Sequence, residues 1–517
     1  MAKDELLKCL ASNNIYASFG QATDPHLYAY VRACVESAAQ ERKVVDVPLQ
    51  FGWQKDKSFV YNNRVFKPNG SEIVVPMPGM ENINRNTNSK GSLDNWRKPW
   101  ELLIGRGMNT MLALCMDSFG SALMHFSDHK GFVWHIGSTS SGTGKSLSLS
   151  LKAGVWGHPV HYRTGKGTSF VALQQRAGLL NSLPLLIDEI TTKTRNDTEW
   201  APELIFDISE GQGKERMEAG TNRERVNNST WALTCTMTAN THMVDLLVGG
   251  RKHSSHGELM RMLEWNPTRE LSFDKPEREI LRELSLNYGV AGEAWVRWLV
   301  RNYDVAKEMW SKVHERLRVA MDFADEERFW HAGCTSTVTA AILLGPKYAN
   351  IIESPVAAVM DALKDLVAIA RSSHKKSVRT AEDVLNEYTR EFYGKFVVLR
   401  FDTMGQLVAD LGKDLQGKTS TKNTVMGRIE HGTHHSNYVE YFVEESLLRR
   451  HCSSMSFGYT DFKRQLENMQ KGPQQFRIQY LRKDMLAKTD GPAMRVKVMQ
   501  ISVPKELLDG DGAISVE

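Results

Sequence analysis

Cysteine is scarce in this chain: six among 517 residues (Cys9, Cys34, Cys115, Cys235, Cys334 and Cys452), with no two forming a CxxC pair. Such scatter argues against a disulfide framework or a cysteine-built zinc site and fits buried thiols in a reducing cytosol. Long apolar runs are missing too. Stretches such as MLALCM at residues 111–116 are far too short to cross a bilayer, and the start MAKDELLKCLASNN carries acids and no long apolar segment. These absences predict a soluble, cytoplasmic protein without a membrane partner. Nor does one sign of charge dominate: 65 basic and 61 acidic side chains leave +4, too little over this length to argue for or against nucleic acid. No acid cluster of a polymerase, primase or nuclease stands out.

What is present is the composition of an ordinary folded protein, 41% apolar and 24% charged. The length exceeds what one hydrophobic core serves, so roughly three or four domains are expected. Residues 1–95 begin with helical spacing and turn to short β-like runs, VVDVPLQFGW, KSFVYNNRVF and SEIVVPM, separated by Asn-Asn and Pro-Asn-Gly turns. Residues 96–275 contain strand, Gly-rich loop, helix and a second apolar strand, the opening of a parallel α/β sheet. Residues 276–400 are mostly long amphipathic helices, in which Trp295, Trp298 and Trp310 recur at core spacing. Residues 401–517 mix short helices with β-runs such as YVEYFV and MRVKVMQISV, the texture of a small mixed, winged-helix-like domain.

The chemistry concentrates between residues 137 and 261. In GFVWHIGSTSSGTGKSLSLSL a β-run meets a small-residue loop and then a helix, the setting a phosphate-binding loop needs. Gly142, Thr143 and Gly144 would let backbone N–H groups close around phosphates, Lys145 would add a positive charge, and Ser146 would hold Mg²⁺ at the helix N-terminus. One departure from GxxxxGK[ST] is visible: the first glycine is replaced by Thr139, with Gly137 two residues earlier. The bland alternative is a Ser/Gly-rich surface turn that merely contains Gly-Lys-Ser.

Further on, SLPLLIDEI reads as a buried strand ending in acids. Asp188 would orient Mg²⁺ and its water shell, while Glu189 would polarise an attacking water. A third run, TWALTCTMTAN, ends in Asn240, placed to reach between a γ-phosphate and that water, or simply to end a strand in a turn. Arg261 in HGELMRMLEW sits where an arginine finger would enter a neighbouring subunit, with Arg251 the second choice and a surface salt bridge the plain alternative. Between the acids and Asn240 lies EGQGKERMEAGTNRERVNN, readable as a hairpin or loop.

The run from FGWQKDKSFVYNNRVF through GSTSSGTGKS, VWGHP, NSLPLLIDEI, SEGQGKERM and HGELMRMLEW, within residues 48–350, resembles a helicase-like family of phages and mobile elements, domain of unknown function 927. That family is similar to the AAA+ and superfamily-three branch of P-loop proteins. The resemblance implies an AAA+-like parallel-sheet ATPase core that uses ATP and Mg²⁺, assembles as a homo-oligomeric, hexameric ring and acts on single-stranded or forked DNA, with other replication proteins as further partners. It assigns ATPase roles to Lys145, Ser146, Asp188, Glu189, Asn240 and Arg261, and makes Arg328 in DEERFW a candidate second sensor. By the same resemblance, Lys214, Arg216, Arg223 and Arg225 are candidate DNA contacts on a channel hairpin. The alternative is a solvated loop in which Glu215, Glu218 and Glu224 pair with those bases. A helicase loader or remodelling switch would share the same ATP site, whereas a kinase or packaging terminase fits less well.

Overall fold

Asn62 and Asn63 both adopt left-handed φ, 50° and 57°. They turn strand β2 (Phe59–Tyr61) back into β3 (Arg64–Phe66) with Tyr61 opposite Arg64. Two consecutive positive φ angles suit the right-handed twist of a two-residue hairpin, and Asn tolerates them better than most side chains. With β1 (Gly52–Trp53) and β4 (Glu72–Val74) they make an antiparallel sheet in the order β1-β2-β3-β4. The computed structural model describes residues 24–40, 48–77, 80–165, 167–189, 200–213, 216–217, 224–225, 230–244, 247, 256–377, 380–392, 395–401, 406–410, 426–431, 438–455, 457–471, 477–484 and 495–504.

Among the described residues the small sheet has no separate core of its own. Phe51, Phe59 and Tyr61 enter the same hydrophobic cluster as the central sheet and the helices beyond it, a cluster that runs from Phe51 to Val367. Asn181 Nδ2 donates to the carbonyls of Phe51 and Trp53 at 3.0 and 3.1 Å, and Tyr61 Oη donates to the Trp156 carbonyl at 2.7 Å. Sequence texture changes near residues 95 and 275, yet no break in the core accompanies either change.

The central sheet has four parallel strands in the order β10-β5-β9-β6: β5 (Gly131–Gly137), β6 (Leu185–Ile187), β9 (Leu233–Ala239) and β10 (Met262–Trp265). Between β6 and β9 in the chain lie two short strands, β7 (Arg216–Met217) and β8 (Glu224–Arg225), which pair only with each other. All seven residues of β5 and of β9 are buried, as expected for parallel strands covered on both faces. Helices α1 (Asn109–Gly120) and α2 (Lys145–Trp156) pack on each other, and α1 also packs on the helical layer formed by α3 (Arg328–Leu343) and α4 (Val356–Ser377). Trp295 is fully buried, Trp310 is buried and Trp298 packs against the core, so all three follow the expectation from spacing.

One polar pair lies entirely inside this core. Lys152 Nζ on α2 meets Asp117 Oδ2 on α1 at 2.7 Å, with both side chains 0% exposed, and Thr234 Oγ1 on β9 donates to the same oxygen at 2.8 Å. Breaking such a pair costs about 3–5 kcal/mol, because the surviving charge stays buried alone.

A second core, from Ala381 to Val503, belongs to the C-terminal part. Its six-stranded sheet has the order β12-β11-β13-β14-β16-β15: β11 (Phe396–Phe401), β12 (Leu407–Asp410), β13 (Gly427–His431), β14 (Tyr438–Glu444), β15 (Arg477–Asp484) and β16 (Arg495–Pro504). Among the described residues only β11 and β13 pair in parallel within it. The sheet is larger than the β-wing of a winged helix. Helix α5 (Ala381–Phe392), grouped with the preceding helices by its sequence texture, packs into this second core through Val384, Leu385 and Tyr388. Among the described residues no helix is long and apolar enough to cross a membrane.

Candidate functional site

Because β5, β6 and β9 are parallel, their carboxyl ends share one edge of the sheet, and the loops leaving that edge converge. β5 leads into the loop at residues 138–144 and then into α2, a strand–loop–helix in the order read from the sequence. Gly142 and Gly144 have φ of 73° and 96°. A Cβ at Gly144 would come within 2.6 Å of Leu271 Cδ1 and Met111 Cε, flexible ends that can move aside, so it is the left-handed backbone that calls for glycine there. Thr143 is buried between them, while Ser146 lies exposed in the first turn of α2.

The loop is pinned from outside. Leu271 N–H donates to the Gly142 carbonyl at 2.9 Å, and Ser138 Oγ donates to the Pro267 carbonyl at 2.9 Å. Lys145 Nζ donates to the Ser138 and Ser140 carbonyls at 2.6 and 3.0 Å, which holds the ammonium over the loop. Burial lowers the Lys145 pKa from the ordinary lysine value, and the charge of Glu189 works in the opposite direction.

β6 ends at Ile187, and Asp188 and Glu189 follow at the same edge. Asp188 Oδ2 takes the Arg163 Nη1 donor at 3.0 Å, and Asp188 Oδ1 takes the Thr238 hydroxyl at 3.2 Å. That hydroxyl also accepts the Glu189 N–H at 3.0 Å. Glu189 adopts φ of 56°, left-handed for a residue with a side chain, a local cost that clusters at working sites. Asn240 emerges exposed, directly after β9. Since β9 lies between β5 and β6, Asn240 stands between the glycine loop and the acids; Ser138 N–H donates to Ala239 O at 3.2 Å.

Arg261 is placed differently. It precedes β10, and its carbonyl accepts the Val133 N–H at 3.2 Å, at the edge of the sheet opposite its own glycine loop. Its guanidinium donates to Ser209 Oγ at 2.7 Å and to the Gly257 carbonyl at 2.9 Å, and lies over Phe206 and Phe329 at 4.3 and 4.8 Å. Burial lowers its pKa, and the charge of nearby Arg328 pushes the same way. Arg261 thus lies at the far edge of the sheet from the loop in its own chain. Arg251 lies outside the described residues.

The segment between the helix Trp200–Glu210 and β9 carries the antiparallel hairpin of β7 and β8, with Arg216 opposite Arg225. Gln212 bridges Thr230 at its base. Lys214 and Arg223 lie outside the described residues.

Two residues of this edge carry no clear signal in the sequence. Thr238 lies inside the third apolar run, where its hydroxyl looks like ordinary strand composition. Arg163 is separated by 25 residues from the acid it holds, a spacing that points to nothing. A further pair, His135 Nδ1 with Glu264 Oε1 at 2.7 Å, ties β5 to β10, and the same carboxylate oxygen accepts the Met243 N–H just past Asn240.

A glycine loop, an ammonium, two carboxylates and an amide thus share one edge of a parallel sheet in a mixed α/β protein. Residues 3–228 match the model of the family described as a domain of unknown function (DUF927), in agreement with the resemblance carried by the sequence. One solved structure, "SCCmec type IV Cch - active helicase", shares the fold with a TM-score of 0.59 over 92% of this chain and 83% of its own, at 15% identity. Among curated proteins none matches.

Proposed function

We propose that the chain is an ATP-driven ring helicase or translocase that acts on DNA, and that it hydrolyses ATP at the edge carrying Lys145, Asp188, Glu189 and Asn240. The observation behind this reading is the convergence of those four residues, from three different strands, on one side of the sheet. The backbone N–H groups of residues 142–146 and the dipole of α2 would cradle the phosphates, and Lys145 would exchange its loop carbonyls for phosphate oxygens. Gly142 is exposed, so the loop is open to a ligand from solvent.

Ser146 and Asp188 fit Mg²⁺ by their chemistry, two oxygen donors at a helix N-terminus and a strand end. When bound, that ion would neutralise charge on the phosphates. Glu189, held by Thr238 through its backbone, would accept the proton of the attacking water, and Asn240 would orient the same water. Arg261, at the far edge of the sheet from its own loop, would serve the site of the next subunit in a hexameric ring, and Arg328 would act as a second sensor. The hairpin with Arg216 and Arg225, flanked by Lys214 and Arg223, would contact DNA phosphates without reading sequence.

The test is ATP hydrolysis with and without single-stranded DNA, alongside unwinding of a forked duplex. Stimulation together with unwinding is expected; DNA-independent hydrolysis without unwinding would shift the reading to a helicase loader or remodelling switch. For the ring, Arg261→Ala subunits mixed with Lys145→Ala subunits should recover part of the activity that each variant lacks alone, since mixed rings contain intact composite sites. No recovery in rings verified to be mixed would remove Arg261 from the role in trans.

A further inference from the structure

Arg163 reaches the candidate site from a stretch that the chemistry above leaves unused. The backbone beside it is stitched to β6: Thr164 N–H and Thr164 Oγ1 both donate to the Leu186 carbonyl, at 2.9 and 2.8 Å, and Asp188 N–H donates to the Thr164 carbonyl at 2.8 Å. Thr164 and Ile187 form a parallel bridge that extends the sheet by one position beyond β6. The guanidinium is therefore carried to Asp188 on backbone that belongs to the sheet, unlike a wandering surface side chain.

The contact itself is lopsided. Arg163 is 11% exposed and Asp188 35% exposed, so the arginine is the more deeply held partner and the carboxylate faces the open edge. A single bond joins them, from Nη1 to Oδ2 at 3.0 Å, and Arg163 Nε is buried without a hydrogen-bond partner. A two-pronged arginine–carboxylate pair would be markedly stronger. Among the described residues Asp188 is the one carboxylate in an ion pair with Arg163. Meanwhile Thr238 fixes the other oxygen of Asp188, so the carboxylate keeps its place if the guanidinium lets go.

We propose that Arg163 is a positioning residue whose guanidinium is the counter-charge of Asp188 when no metal is bound, and which Asp188 gives up on taking a divalent cation. This rests on the reading of Asp188 as the acid that holds Mg²⁺. Two positive charges then compete for one carboxylate, and the concentration of Mg²⁺ that the site needs is set in part by the arginine on the neighbouring segment. The single-pronged contact keeps the exchange shallow, and Thr238 keeps it from disordering the acid.

The experiment is equilibrium binding of a fluorescent ATP analogue, read by anisotropy and titrated with Mg²⁺, for the wild type, Arg163→Gln and Arg163→Met, with a thermal melt of each. Removing the competing charge should lower the half-saturating Mg²⁺ concentration by about three- to tenfold in both neutral variants. Arg163→Lys, which keeps the charge, should stay near the wild type. Reading two neutral variants guards against one of them failing to fold. An unmoved or raised midpoint in a folded neutral variant overturns the role of Arg163 while Mg²⁺-dependent binding by the wild type stands. Absence of nucleotide binding by the wild type at any Mg²⁺ concentration overturns the nucleotide reading itself, and this inference with it.

Discussion

Replacing Lys145 by alanine should weaken binding of ATP with Mg²⁺ by about 2–4 kcal/mol, roughly 30- to 1000-fold in Kd. The ammonium sits over the glycine loop, where it bonds the carbonyls of Ser138 and Ser140. Those carbonyls belong to a loop that is separately pinned by Leu271 and by the Ser138 to Pro267 bond, so the loop should keep its shape without the lysine. The loss would then be one of charge, not of fold. Titration of a fluorescent ATP analogue, with a thermal melt as control, separates the two. Wild-type affinity in the variant would detach the loop from nucleotide binding altogether.

The second large effect is expected at Glu189. Glu189→Gln should keep nucleotide affinity within about threefold while turnover falls by about 10²- to 10⁴-fold, the usual contribution of a general base. Glutamine preserves the shape of the side chain and the N–H that Thr238 accepts at 3.0 Å, so the backbone conformation at this position has the same support as before. What disappears is the capacity to take a proton. Single-turnover hydrolysis measured beside equilibrium binding decides the matter, and undiminished hydrolysis would exclude Glu189 as the base.

What could be read from the sequence was what lies contiguous along the chain. The strand, loop and helix around Gly142–Lys145 form one uninterrupted segment, and the run that ends in Asp188 and Glu189, a pattern common by chance on its own, gains its meaning from its distance to Lys145. The Asn62–Asn63 turn was legible for a similar reason, since two adjacent residues determine it. Arg163 and Thr238 were not legible. Their roles arise from the order of strands in the sheet, which puts the end of β9 beside β6 and the Thr164 bridge on its other side.

The same limit explains the N-terminal sheet. Its β-texture was plain, but that its aromatic face is completed by the α/β region around α2 is a matter of packing, as the hydrogen bond from Tyr61 to the Trp156 carbonyl illustrates. Arg261 shows the reverse case. Its position ahead of a strand was readable, whereas its clasp between Phe206 and Phe329 at the far edge of the sheet was not.

The buried pair of Lys152 and Asp117 has a mechanical consequence. Lys152 lies seven residues beyond Lys145 on the same helix, and Asp117 fastens it to α1 while Thr234 fastens the same carboxylate to β9. Such a joint is stiff, because any sliding of the helix would pull a bare ammonium away from its counter-charge in a dry interior. The pair thus fastens the helix that follows the glycine loop to α1, the same helix that packs against α3 and α4.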